Sequence, residues 1–245
     1  MSKMITNHMI ADLKLFLRDP MALGFTFVLP AVLFIIFGNI FGNESYGGVE
    51  YFDLYISAMI AIMILNIGLF TIGLQLVIDR EKGVLRRLKG TPLRPWVMFL
   101  SILMKAIIAA IVGAIEIMVI AYFLFKVPMT EHIMSYFLML VIVTVGFCSF
   151  CLIITSVSKT AGAGLGIAFV LMYIMLFLSG VTIPLEIYPE TVQTIAQFVP
   201  LYYVHDVLQL VWRGAFSFSD ITSVLALVSF AGVSVLISNR YFKWE

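Results

Sequence analysis

Glu116 sits deep within a long apolar run, flanked by Ile115, Ile117 and Met118, and with His205 and Asp206 it makes up a small stock of groups that could carry a proton. A charge at the centre of a membrane helix costs roughly 2.5–3.5 kcal/mol on insertion scales. Glu116 is therefore protonated, faces a polar cavity, or bonds to a neighbouring helix. Its functional reading is a proton or substrate contact; its structural reading is an interhelical hydrogen bond. Asn66, Thr71 and Gln75 fall near one helical face with Phe70 beside them, a pattern that fits a substrate path and hydrogen-bonded helix packing equally. Cys148 and Cys151 have the CxxC spacing, but an apolar helix offers no further ligands, so they read as small packing residues and no metal site is expected. Asp206 and Arg213 are seven residues apart, about 10 Å along a helix. No nucleophile, base and orienting group form one set, so no catalytic residue is expected.

Phosphate chemistry is missing as well. Gly162, Gly164 and Gly166 lie in a glycine-rich stretch that lacks the Gly-Lys-Ser/Thr of a phosphate-binding loop. The 162/166 spacing is the small-xxx-small pattern that lets membrane helices approach closely. ATP chemistry, if the chain depends on it, has to come from another chain.

The segment 79–96, DREKGVLRRLKGTPLRPW, concentrates basic residues between two long apolar runs. Arg80, Lys82, Arg86, Arg87, Lys89 and Arg94 stand against only Asp79 and Glu81. A basic loop binding anionic headgroups would explain the charge, at about 1 kcal/mol per Lys or Arg near the surface. It would not explain the apolar ridge of Val84, Leu85 and Leu88, or the stop at Gly90-Thr91-Pro92. Those features suit a short helix docking into a protein groove.

The elements that must hold these residues follow from composition. Hydrophobic residues make up 62% of 245 and charged residues 12%, with mean hydropathy +1.09; soluble domains carry about 25% charged residues. The bilayer must be the solvent. A spanning helix needs about 20 mostly apolar residues, and six runs qualify: 21–41, 54–78, 97–125, 133–157, 163–183 and 221–238. The expected fold is an all-α integral membrane protein with six transmembrane helices in a single transmembrane domain, 1–245. Residues 1–20 read as an amphipathic interfacial helix, with Ile5, Met9, Leu13, Phe16 and Leu17 at helical spacing and Asp19-Pro20 ending it. They lack the apolar core and cleavage site of a signal peptide.

Charge sets the orientation. With the N-terminus inside, twelve of the fifteen Lys and Arg residues are cytoplasmic; Lys105 lies near the same face, and only Lys126 and Arg213 are outside. Both termini are then cytoplasmic. The stretch 184–220 is long enough for a seventh span but contains Pro200, His205, Asp206 and Gln209, costly groups in hydrocarbon. Two half-helices meeting at Pro200 and re-entering from the outer face fit better, provided protein or water surrounds them. A net charge of +1 says nothing by itself about partners, and no nucleic-acid partner is expected.

Four features together resemble the permease subunits of type-2 ABC export systems. They are the amphipathic start closing on Arg18-Asp19-Pro20; the segment Glu81 to Leu88 with Thr91-Pro92-Leu93; Leu178-Ser179-Gly180 with Pro184-Leu185-Glu186; and Pro189-Glu190 with Pro200-Leu201. The resemblance implies a bacterial half-permease of the cytoplasmic membrane, paired as a homodimer or heterodimer and bound to two cytoplasmic ATPase subunits that carry ATP and Mg. It makes residues 1–20 a connecting helix and 79–96 a coupling helix seated in the ATPase, with Glu81, Gly83, Leu85, Arg87 and Pro92 transmitting closure. It also implies an export path on the dimer axis, lined by spans two and five, with Asn66, Phe70, Thr71 and Glu116 as candidate contacts and Gly162 and Gly166 as candidate packing positions. No cofactor is expected in this chain. The apolar spans favour a hydrophobic or amphiphilic cargo such as a drug, antibiotic or lipid. Export of a lipid-linked polysaccharide, a proton-coupled transporter using Glu116, and a non-transporting membrane protein are the alternatives.

Overall fold

Backbone in lipid must satisfy its own hydrogen bonds, which leaves a long apolar run little choice but the helix. The computed structural model describes residues 2–46, 49–89, 95–183, 185–217 and 220–241. The first helix, α1 (Ser2–Leu17), ends where Asp19 takes over. The Asp19 carboxylate accepts from the N–H groups of Met21 and Ala22 at 3.0 and 3.1 Å, and Pro20 occupies the first turn of α2 (Pro20–Phe41). A two-residue ladder follows, β1 (Ser45–Tyr46) against β2 (Val49–Glu50), antiparallel with Ser45 opposite Glu50.

The remaining elements are α3 (Tyr51–Glu81), α4 (Val84–Lys89), α5 (Pro95–Phe125), α6 (Ile133–Val157) and α7 (Ala161–Leu178). After a 3-10 turn at Leu185–Ile187 come α8 (Glu190–Ala196), α9 (Pro200–Trp212) and α10 (Ile221–Tyr241). Among the described residues, five helices (α2, α3, α5, α6 and α7) are long and apolar enough to cross a membrane. The sixth expected run is helical as α10, but its described apolar part, Ile221–Ser234, is shorter than a full crossing. The chain is a multi-pass membrane protein.

Helix α3 is the hub. It packs against α2, α5, α6, α7 and α9, and Ile56, Ile60, Met63, Ile64, Leu65, Ile67 and Leu69 are fully buried around it. A helix that is apolar on every side belongs in the interior. Its middle, Ile67–Leu74, is π-helical, and i→i+5 bonding brings residues five apart round toward one face. Gly68 and Gly73 use that to meet α6: Cβ atoms at these positions would come within 2.7 Å of Cys151 Sγ and 2.8 Å of Ile154 Cδ1. Both cysteines are buried free thiols, and Cys151 packs at this crossing. Near the start of α3, Phe34 of α2 stacks on Tyr55 (5.4 Å) and meets the edge of Phe125 (5.9 Å), pinning α2, α3 and α5 together.

The span least covered by its own chain is α7, where Gly164, Ala168 and Met175 are the buried residues. Leu165, Phe169, Val170, Tyr173, Ile174 and Phe177 are left exposed.

Candidate coupling and transport site

The end of α3 that carries the basic segment is built by a glycine turn. Lys82 and Gly83 close the helix with N–H bonds to Ile78 and Arg80 carbonyls, both 2.9 Å, and Gly83 adopts φ +70°. That left-handed conformation is costly for a side chain, and no atom stands within 4 Å of a Cβ built there, so backbone geometry is what requires glycine. The helix then restarts as α4, with the Arg87 N–H bonded to the Gly83 carbonyl at 3.1 Å. The expected single coupling element over 79–96 is therefore divided. Asp79, Arg80 and Glu81 finish the spanning helix, and α4 stands apart as a separate short helix.

Leu85 departs from its expected role. It is 1% exposed and packed into its own chain's core, so it anchors α4 to the helix bundle rather than offering a ridge to a partner. Arg86 and Arg87 point outward and exposed. Glu81 is exposed as a residue, yet its carboxylate accepts the N–H of Ala161 at 2.5 Å. Pro92 lies outside the described residues.

Two contacts at this end escaped the sequence reading, which counted their residues only as charge. Arg80 donates from Nη1 to the Thr155 carbonyl at 2.8 Å and from Nη2 to the Ser158 carbonyl, capping the C-terminus of α6. Cations are favoured there because the last carbonyls of a helix are unpaired. On the other flank, Lys105 of α5, only 7% exposed, meets the Asp12 carboxylate of α1 at 3.4 Å. Asp79, bonded to Gln75 Nε2 at 3.0 Å, is close enough to Lys105 to interact with it. The pairing of α1 with α5 was invisible because Asp12 and Lys105 are far apart in sequence.

Of the candidate path residues, Asn66, Phe70 and Thr71 are half-buried in or beside the π stretch. Phe70 meets Phe169 of α7 edge-on at 5.4 Å. Leu74 and Val77, farther along α3, touch Gly164. Glu116 is on α5, which packs against α3 through other residues: a Cβ on Gly113 would strike Met63. Its Oε2 is buried and, among the described residues, has no hydrogen-bond partner. Gly162 and Gly166 face open space, with nothing within 4 Å of a built Cβ. The glycine that brings α7 against α3 is Gly164 between them.

At the far end, Trp212 Nε1 donates to Asp53 at 3.2 Å and lies edge-on to Tyr136, tying α9 to α3 and α6. Ser223 donates to Asp206 at 2.7 Å, joining α9 to α10. Asp206 is thus bonded within the fold, and Arg213 is exposed at the end of α9.

Residues 8–211 match the family model described as ABC-2 type transporter. The chain belongs to the ABC-2 type transporter family. Membership gives it a membrane transport role rather than a catalytic one. It is 25% identical over 180 residues to the "Probable multidrug ABC transporter permease YbhR" of Escherichia coli (strain K12), covering 69% of this chain and 49% of that one. It therefore spans about half the length of that relative. It is also 24% identical over 242 residues to the "Putative transport permease YvfS" of Bacillus subtilis (strain 168), covering 96% of this chain and 95% of the other.

Proposed function

We propose that this chain is the transmembrane permease subunit of an ATP-driven exporter, working as a pair of permeases with two cytoplasmic ATPase chains that bind ATP and Mg. The observation that carries the reading is α4 itself. Gly83 sets it off from the end of the central span, Leu85 fastens it inward, and Arg86 and Arg87 are left outward. A short helix held rigidly on the permease, with a charged free face, is suited to receive motion from a partner's groove. Glu81, Gly83, Arg87 and Pro92 belong to that coupling set, with Leu85 as its anchor.

In this reading the chain crosses the bacterial cytoplasmic membrane six times, α10 being the sixth crossing, with both termini inside. Helices α8 and α9, broken at Val199-Pro200, dip in from the outer face. Substrate moves beside the π stretch of α3, past Asn66, Phe70 and Thr71. The exposed apolar faces of α2 and α7, with Gly162 and Gly166, face lipid or the second permease. An apolar path with few polar groups suits a hydrophobic or amphiphilic cargo, drug-like or lipid-like, in keeping with the printed name of the E. coli relative.

Affinity isolation from native membranes in mild detergent tests the assignment. Stoichiometric co-purification of a nucleotide-binding subunit is expected, with ATP hydrolysis that falls on Arg87→Glu. A permease that purifies without such a subunit, or hydrolysis untouched by Arg87→Glu, overturns it.

A further inference from the structure

Arg80 and Glu81 are neighbours in sequence but grip two different helices. The Arg80 guanidinium spans the Thr155 and Ser158 carbonyls at the end of α6, and the Glu81 carboxylate takes the Ala161 N–H at the start of α7. Only the short turn through Lys159 separates these points, so the last two residues of α3 hold both sides of the α6–α7 turn. Each charge meets the helix end of opposite polarity, cation on carbonyls and carboxylate on N–H. The grip comes just before the Gly83 turn that launches α4.

The span so gripped is also the one least held elsewhere. Gly164, Ala168 and Met175 are its buried residues, Ile167, Leu171, Met172, Leu176 and Leu178 are half-buried against the core, and its outer face is exposed. Among the described residues, the other hydrogen bonds that close its start come from within it: Thr160 Oγ1 accepts the Ala163 N–H at 3.3 Å, and the Thr160 carbonyl accepts from Gly164 at 2.9 Å. A loosely packed helix with a polar tether at one end moves with whatever holds the tether.

We infer that Arg80 and Glu81 form a clip through which displacement of α4 is delivered to α7, making the α6–α7 turn the output of the coupling segment. This rests on the reading of α4 as the ATPase-coupling helix. Arg80 and Glu81 act here as positioning residues: Arg80 holds the end of α6 as the fixed jaw, and Glu81 pulls on the first turn of α7.

Ala161→Pro cuts the clip with little other disturbance. Proline at the first position of a helix is well tolerated, and it removes the one N–H that Glu81 accepts. Thr160, at φ −128° and ψ 157°, already has the extended backbone a residue before proline requires. The test is hydrogen–deuterium exchange of the permease with its co-purified ATPase, without nucleotide and trapped with ATP and vanadate. In the unsubstituted complex, trapping alters exchange over 84–89 and over 159–166 together. Ala161→Pro keeps co-purification, basal ATP hydrolysis and the response over 84–89, but reduces the response over 159–166 by about threefold or more. Glu81→Ala gives the same loss over 159–166, and combining the two adds nothing there, as expected for partners in one contact. An undiminished response over 159–166 in Ala161→Pro overturns the clip, as does an unsubstituted complex that responds over 84–89 alone. Silence over both segments strikes the coupling reading itself and removes the clip's input.

Discussion

Gly68→Ala sets the close crossing of α3 and α6 against a matched control. A Cβ at position 68 would lie 2.7 Å from Cys151 Sγ and 2.9 Å from the Phe147 ring, while one at Gly232 on α10 meets nothing within 4 Å. Both substitutions gain the same helix preference of alanine over glycine, about 1 kcal/mol. The difference between them therefore isolates the steric term. Overpacking a filled interior costs about 1–3 kcal/mol, and for a chain of this size each kcal/mol moves Tm by about 2–4 °C. Gly68→Ala should melt about 2–12 °C below Gly232→Ala in the same detergent. Cys151→Ala removes the nearer atom and should recover part of the loss in the double variant, leaving the Phe147 contact. Thermal unfolding of the purified permease reads all four proteins. Equal melting of the two alanine variants, or no recovery with Cys151→Ala, would refute the reasoning about the crossing.

The Lys105–Asp12 pair predicts an asymmetry. Lys105 is 8% exposed at its side chain and Asp12 23%, so removing Asp12 strands the deeper charge. Asp12→Ala should cost about 1–3 kcal/mol, more than Lys105→Met, and the double variant should recover; a simple sum of the two losses would count against the pair. Gly83→Ala forces a side chain into φ +70°, at about 1–2 kcal/mol. Tm should fall by about 2–8 °C and coupled ATP hydrolysis should fall with the fold intact; unchanged hydrolysis would dismiss the turn as a coupling element. Glu116→Gln keeps hydrogen bonding but cannot release a proton. ATP-dependent efflux of a lipophilic dye in inverted vesicles should persist, and a loss that tracks the proton gradient would favour the proton-carrier alternative.

Five of the six expected spans were legible in the sequence because hydropathy reports burial in lipid directly, and Asp19-Pro20 and Pro200 marked breaks between helices because cap chemistry is local. The π stretch of α3 was not. Nothing in Ile67–Leu74 distinguishes i→i+5 bonding from an ordinary helix; the shift depends on how Gly68 and Gly73 meet α6. Gly162 and Gly166 illustrate the same limit. Their spacing marks a face where helices can approach, but only the packing shows that Gly164 is used within this chain. Leu85 looked like part of an exposed ridge because its burial comes from elements distant in sequence. Arg80 entered only as charge and Glu81 only as charge and as a coupling residue implied by the resemblance, since their partners are backbone groups whose positions the sequence does not encode locally.

The placement of the π stretch bears on how the two ends of α3 communicate. One end is fixed by Asp53 to Trp212 and by Tyr55 against Phe34; the other carries the clip. A uniformly α-helical rod joining them would pass any tilt of α4 straight to α9. Instead the helix changes its bonding register over Ile67–Leu74, where Phe70 touches α7 and the half-buried Asn66 and Thr71 sit. A register change is where a helix yields first, because its hydrogen bonds have near-equal alternatives one residue away. Under the proposed coupling, displacement from the basic end is absorbed midway, beside α7, rather than at the far anchor. That puts the yielding stretch of the central helix and the tether on its loosest neighbour within one crossing. On the proposed reading, a path beside Phe70 opens without disturbing the packing that holds the far ends of α2, α3, α6 and α9 together.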